Sequence, residues 1–89
     1  MEKNKTLDQL FEAILTLENI DECYEFFSDA CTPKEIQNVA QRFVVAKMLK
    51  DKKPYLEIVE ATGASTATIS RVNRAINNGF NLAFKRVNK

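Results

Sequence analysis

The sequence predicts an all-α domain of five or six short helices, and three observations carry that expectation. Apolar residues recur at spacings of three and four along most of the chain, and no segment alternates apolar and polar as a half-buried strand does. Only two glycines and two prolines occur in 89 residues, each at the edge of a periodic segment. The start signals are helical. The clearest is Thr32-Pro33-Lys34-Glu35, where Thr32 can cap, Pro33 suits the first helical position and Glu35 closes a capping box.

The elements follow in order. Thr6 and Gln9 form a capping-box pattern before the segment 7–18, in which Leu7, Leu10, Phe11, Ile14 and Leu17 make one apolar stripe. Asn19 punctuates, and a second stripe runs through Ile20, Cys23, Tyr24, Phe27 and Cys31. The helix opened by Thr32 extends to about Lys50. Ile36, Val39, Ala40, Phe43, Val44, Val45, Ala46, Met48 and Leu49 cover well over half its circumference, the pattern of a helix buried on most sides. Such pervasive apolarity exceeds what one short chain can cover. It predicts an obligate homodimer with Phe43, Val44 and Ala46 near its centre. The stretch 50–54 is a polar break ending in Pro54, and the helix 55–62 ends at Gly63. A further helix reaches Ile76, Asn77-Asn78-Gly79 stops it, and residues 80–87 form a last short helix. The whole chain, 1–89, is thus one domain. Residues 1–31 supply dimerisation helices, 32–51 the core helix, 54–78 a helix-turn-helix and 79–89 a C-terminal helix.

Composition excludes several function classes. There is no histidine, which removes Ser-His and Cys-His catalysis and the common zinc sites. No paired-carboxylate or nucleophile–base constellation is present, so neither an enzyme, a metal site nor a cofactor is expected. Cys23 and Cys31 are two helical turns apart, about 12 Å, too far for a disulfide, and read as buried free thiols. No run of eighteen apolar residues occurs, and the first ten residues lack the apolar core of a signal peptide, which predicts a soluble, cytoplasmic protein without a membrane partner.

Charge divides the chain. Residues 1–31 carry two lysines against eight acids, a net of −6, and residues 32–89 carry eleven basic residues against four acids, a net of +7. No acid follows Glu60, whereas Arg71, Arg74, Lys85, Arg86 and Lys89 do, a balance suited to a polyanion.

The segment 62–76 carries the function. Ile69, Val72 and Ile76 recur at helical spacing, yet the stretch from Thr66 to Arg71 is rich in hydroxylic and β-branched residues, poor helix formers. Two short helices joined by a glycine-containing turn are a helix-turn-helix arrangement. Ile58 and Val59 face inward from the first helix, and Ile69 and Val72 from the second. Gly63 supplies a positive φ, Ala64 is small where the helices approach, and Ser65 is the N-cap. The outward residues of the second helix are then Thr66, Ala67, Thr68, Ser70, Arg71 and Arg74. Short hydroxyls let the backbone approach base edges, alanine meets a thymine methyl, and arginine reaches guanine or phosphate. With Ser65, these residues are the candidate contacts to double-stranded DNA.

The segment from Thr32 to Arg42, the apolar helix it begins, and the segment 62–74 resemble the tryptophan repressor family. Within it the overall look is closest to the YerC/YecD group of Trp-repressor-like proteins. Ala67-Thr68-Ile69-Ser70-Arg71 is similar to the family's Ala-Thr-Ile-Thr-Arg signature, and Thr32, Pro33, Glu35, Arg42, Gly63 and Arg71 fall at matching places. The likeness covers about residues 32–76. It implies an intertwined, all-helical homodimer with two helix-turn-helix heads, acting as a transcriptional repressor on a near-palindromic operator. It also implies a candidate effector pocket at Thr32, Arg42 and Arg71, since two arginines sandwich the indole in the tryptophan-binding repressor. Against that ligand, the glycine that leaves room for the ring is here Val72, and a serine that helps hold the ligand's amino group is here Ala75. No cofactor is therefore expected, tryptophan included. Glu57 and Glu60 stand on the first motif helix without a basic residue, which predicts few phosphate contacts from it. The alternative to DNA binding is a protein-interaction module using the same helices and the acidic N-terminal half.

Overall fold

A computed structural model describes residues 1–76 and 78–87, which form six helices and no strand. The chain divides into two compact units, residues 1–36 and 37–89.

The first unit contains α1 (Lys5–Ile14), α2 (Ile20–Ala30) and the beginning of α3 (Pro33–Lys50). Each start is fixed by a side chain that accepts an otherwise orphaned backbone N–H. Asn4 Oδ1 accepts from Leu7 N at 2.8 Å and Asn19 Oδ1 from Glu22 N at 2.9 Å. The Asn4 cap corrects the expected Thr6–Gln9 box: Thr6 lies within α1 and cannot cap it, because an asparagine two residues earlier has already begun the helix. The other end is also earlier than expected. Leu15 is the C-cap, and the Thr16 hydroxyl donates to Ala13 O at 2.6 Å, satisfying a terminal carbonyl. At α3 the expected capping box is present in both directions. Thr32 N donates to Glu35 Oε1 at 2.8 Å, and Glu35 N to Thr32 Oγ1 at 3.2 Å.

No residue of α1 or α2 is buried. Leu7, Ile14, Leu17, Phe26, Phe27 and Cys31 are half-buried, whereas Leu15, Ile20 and Tyr24 are 84%, 74% and 73% exposed. Both cysteines are free, and Cys23 is exposed rather than buried.

The second unit holds the core. Val45 and Ala46 of α3, Ile58 of α4 (Tyr55–Thr62), Ala64 of the turn after it, Ile69 and Val72 of α5 (Thr66–Ala75), and Phe84 of α6 (Asn78–Val87) form one buried cluster. Phe43, Phe80 and Phe84 pack as an aromatic group. The centroid of Phe43 lies 5.4 Å from that of Phe80, nearly perpendicular, and 5.0 Å from that of Phe84. Lys50 Nζ stands 5.2 Å from the Phe84 ring centre, a cation–π contact. On α3, Val39 and Val44 remain exposed, while Ala46, expected at a dimer centre, is fully enclosed within its own chain. Helix α6 begins earlier than expected, with Asn78 and Gly79 inside it; the expected breaker Asn77, and Asn88 and Lys89 of the expected C-terminal helix, lie outside the described residues.

Helix α3 ends in a Schellman turn: Lys53 N donates to Met48 O and Lys52 N to Leu49 O, both at 3.0 Å, with Lys52 at φ 60°. A side chain in that conformation costs about 1–2 kcal/mol, and glycine's extra freedom when unfolded costs about 0.5–1 kcal/mol. Lys52→Gly should therefore stabilise the protein by about 0.5–1 kcal/mol and raise the melting temperature by about 2–8 °C. A lower melting temperature for that variant would contradict the account of the turn.

The backbone N–H of Thr32, and then its hydroxyl, hold the Glu35 carboxyl below the usual carboxylate range. A folded-state value below the unfolded one contributes stability above the unfolded pKa, and that contribution is lost as pH falls through the folded one. Glu35→Ala should lower the melting temperature at neutral pH, and the gap to wild type should narrow as pH falls through the ordinary carboxyl value of 4.5 and then through the lower folded one. Equal gaps across that range would mean the carboxylate charge adds nothing.

Candidate nucleic-acid interface

Helix α5 begins at a formed cap. Ser65 Oγ accepts from Thr68 N and donates to Thr68 Oγ1, both at 3.1 Å. Gly63, at φ 72°, precedes it and ends α4, its N–H donating to Val59 O at 2.9 Å. Both features stand where the sequence places them. So do the inward positions: Ile69 is fully buried and Val72 is 7% exposed, while Ala64 at the approach of α4 and α5 is 3% exposed. These contacts decide which residues of α5 face solvent.

Thr66, Ala67, Arg71 and Arg74 are exposed, as is Ser65, whereas Thr68 and Ser70 are half-buried. The seven candidate residues thus share one helix and its cap, but they do not present equal surface. The Ser65 and Thr68 hydroxyls are also engaged with each other at the cap, which gives both a structural task. Asn73 is exposed beside Arg74 and was missed because it interrupts the run of hydroxyls and arginines. Helix α4 exposes Glu57, Glu60 and Leu56, the last at 71%.

A groove of about 610 Å³ runs beside α5. Asn38, Gln41 and Arg42 of α3 line it together with Thr68, Arg71, Val72 and Ala75, then Ile76 and Phe80. Arg42 and Arg71, twenty-nine positions apart in sequence, are therefore brought to one site. Thr32 belongs to the first unit, where its hydroxyl is taken by the capping box. Val72 and Ala75 line the groove where the resemblance places the residues that restrict an indole. Sequence reasoning missed Asn38 and Gln41. A signal existed: with Arg42 they form a polar i, i+3, i+4 stripe on α3.

Among the described residues no group of His, Cys, Asp and Glu side chains could hold a metal ion, and no helix is long and apolar enough to cross a membrane.

Comparison with known proteins agrees with this architecture. YerC of Bacillus subtilis (strain 168), described as an uncharacterized protein, is 52% identical over 88 residues, which span 96% of this chain and 85% of YerC. The crystal structure of a TrpR-like protein from Eubacterium eligens ATCC 27750 superimposes with a TM-score of 0.93 at 53% identity, covering 97% of this chain and 92% of that one. A candidate Trp repressor from Staphylococcus aureus gives 0.90 at 50% identity, covering 97% and 89%. Residues 5–88 match the family model described as Trp repressor protein, and the chain belongs to that family.

Proposed function

We propose that the protein is a cytoplasmic transcriptional regulator, a repressor, that binds a near-palindromic DNA site as a homodimer through α4 and α5 acting as a helix-turn-helix. The observation that carries this reading is the exposed face of α5. It offers short hydroxyls, an alanine and two arginines without an acid, on a helix whose opposite face is anchored in the core. Membership of the Trp repressor family supports the same reading. The dimer is supported by the apolar surface that one chain leaves uncovered, on α1 and α2 and at Val39 and Val44 of α3. No enzymatic activity and no metal or cofactor enter the mechanism.

On this reading Thr66, Ala67 and Ser70, with Thr68 beside them, choose bases. Arg71 and Arg74, a turn later, meet the sugar-phosphate wall. Ser65 holds the start of the reading helix. Two such helices about 34 Å apart would enter successive major grooves. Occupying an operator in this way would block transcription by occlusion.

Selection from a random DNA pool tests the reading. Arg74→Ala should weaken all sequences about equally and reduce the log–log salt slope by about one. Changes at Thr66 or Ser70 should cost about 1–3 kcal/mol at one base position and relax the preference there. The reverse assignment of effects would overturn these roles. Sedimentation without DNA should give a dimer mass. A monomer at micromolar concentration, or no DNA enrichment with weak salt dependence, would favour a protein-interaction module instead.

No effector is assigned to the groove between Arg42 and Arg71, because Val72 and Ala75 take the places of smaller or hydrogen-bonding residues. Millimolar tryptophan should leave both DNA affinity and melting temperature unchanged. A melting rise of several degrees, equivalent to about 1 kcal/mol of linked binding, would show that the groove accepts it.

A further inference from the structure

Among the described residues, one side-chain hydrogen bond reaches across more than four positions in sequence. Gln41 Nε2 on α3 donates to Thr62 O at the end of α4, at 3.1 Å across 21 residues. The acceptor is one of the last four carbonyls of a helix, which have no partner inside it. Thr62 is held a second time: its hydroxyl donates to Ile58 O at 2.7 Å and accepts from Ala64 N at 3.2 Å. Gly63 then turns the chain into α5. A donor on α3 thus grips the residue at which α4 hands over to the reading helix.

The other attachments of the α4–α5 pair are apolar, through Ile58, Ile69 and Val72. Apolar burial is non-directional and fixes how deeply the pair sits more firmly than how it is rotated. A hydrogen bond is directional and restricts rotation. We propose that Gln41 is a positioning residue for DNA readout, whose amide sets the tilt of the α4–α5 pair on α3 and so the separation of the two reading helices in the dimer. This rests on the DNA-binding dimer proposed above. Displacing each reading helix by about 1.7 Å along the DNA would change their separation by about 3.4 Å, the rise of one base pair.

The test compares full-length wild type with Gln41→Leu, Gln41→Ser and Gln41→Lys in selection from a random DNA pool, reading the spacing between paired half-sites. Melting temperatures are measured in parallel. Leu removes the donor while filling its space, and Ser keeps a hydroxyl too short to reach Thr62 O and admits water; Lys restores a donor that can reach it. Wild type and the Lys variant should enrich one spacing. The Leu and Ser variants should accept spacings one base pair away and lose about fivefold in affinity for the wild-type site. Either of the two suffices if the other does not fold. Lower melting temperatures with an unchanged spacing profile would overturn the proposal and leave the bond a purely structural one. A wild type that enriches no paired half-sites would bring down the DNA-binding dimer itself, and that is visible before any variant is compared.

Discussion

The second unit depends on the three largest of its side chains with no access to solvent: Val45 on α3, Ile58 on α4 and Ile69 on α5. Among the described residues seven buried ones make up its core cluster, so each position in it constrains an entire helix. With Ile69 and Val72 committed inward, Thr66, Ala67, Arg71 and Arg74 are outward by geometry alone. This also explains how α5 tolerates its composition. Thr66, Thr68, Ile69 and Ser70 each sacrifice roughly half a kcal/mol of helix propensity, about 2 kcal/mol together. Burying Ile69 and Val72 returns roughly 3–6 kcal/mol. Packing wins, and the outward positions are released from any duty to stabilise the helix.

What could be read from the sequence follows the range of the interaction responsible. The Thr32–Glu35 box, the Gly63 turn and the Ser65 cap are contacts within four residues, and each stands where spacing and residue type put it. The inward face of α5 was equally legible, because periodicity records burial directly. Local signals fail when two compete. Thr6 with Gln9 and Asn4 with Leu7 are both acceptable starts, and the earlier asparagine wins. Gly79 was read as a breaker, yet a glycine in the first turn of a helix costs only about 1 kcal/mol, which Phe80 and Phe84 offset by packing on Phe43. The Gln41–Thr62 bond spans 21 residues, and nothing in spacing announces it.

The first unit shows the opposite balance. Its helices are well capped, by Asn4, Asn19 and the Thr32–Glu35 pair, but neither α1 nor α2 buries a residue. Caps contribute about 1 kcal/mol each and decide where a helix starts; they do not replace a core. Helices of ten or eleven residues are marginal on their own in water, and the proposed dimer would supply further apolar contact to them. Leu15, Ile20 and Tyr24 are the residues that such an association would cover first. The dimer proposed above is therefore also an account of why these helices form at all.

Val72 ties the core to the groove. It belongs to the buried cluster and also lines the site that contains Arg42 and Arg71. Opening that site with a glycine at this position would forfeit roughly 1.5–3 kcal/mol of burial and about 1 kcal/mol of helix propensity. Such a loss is a large share of the stability available to a small domain. The same side chain thus couples the packing of the core to the shape of the groove. Arg71, its neighbour in sequence, remains exposed on α5. On the function proposed above, in which no aromatic ligand enters the groove, its guanidinium would be available to phosphate.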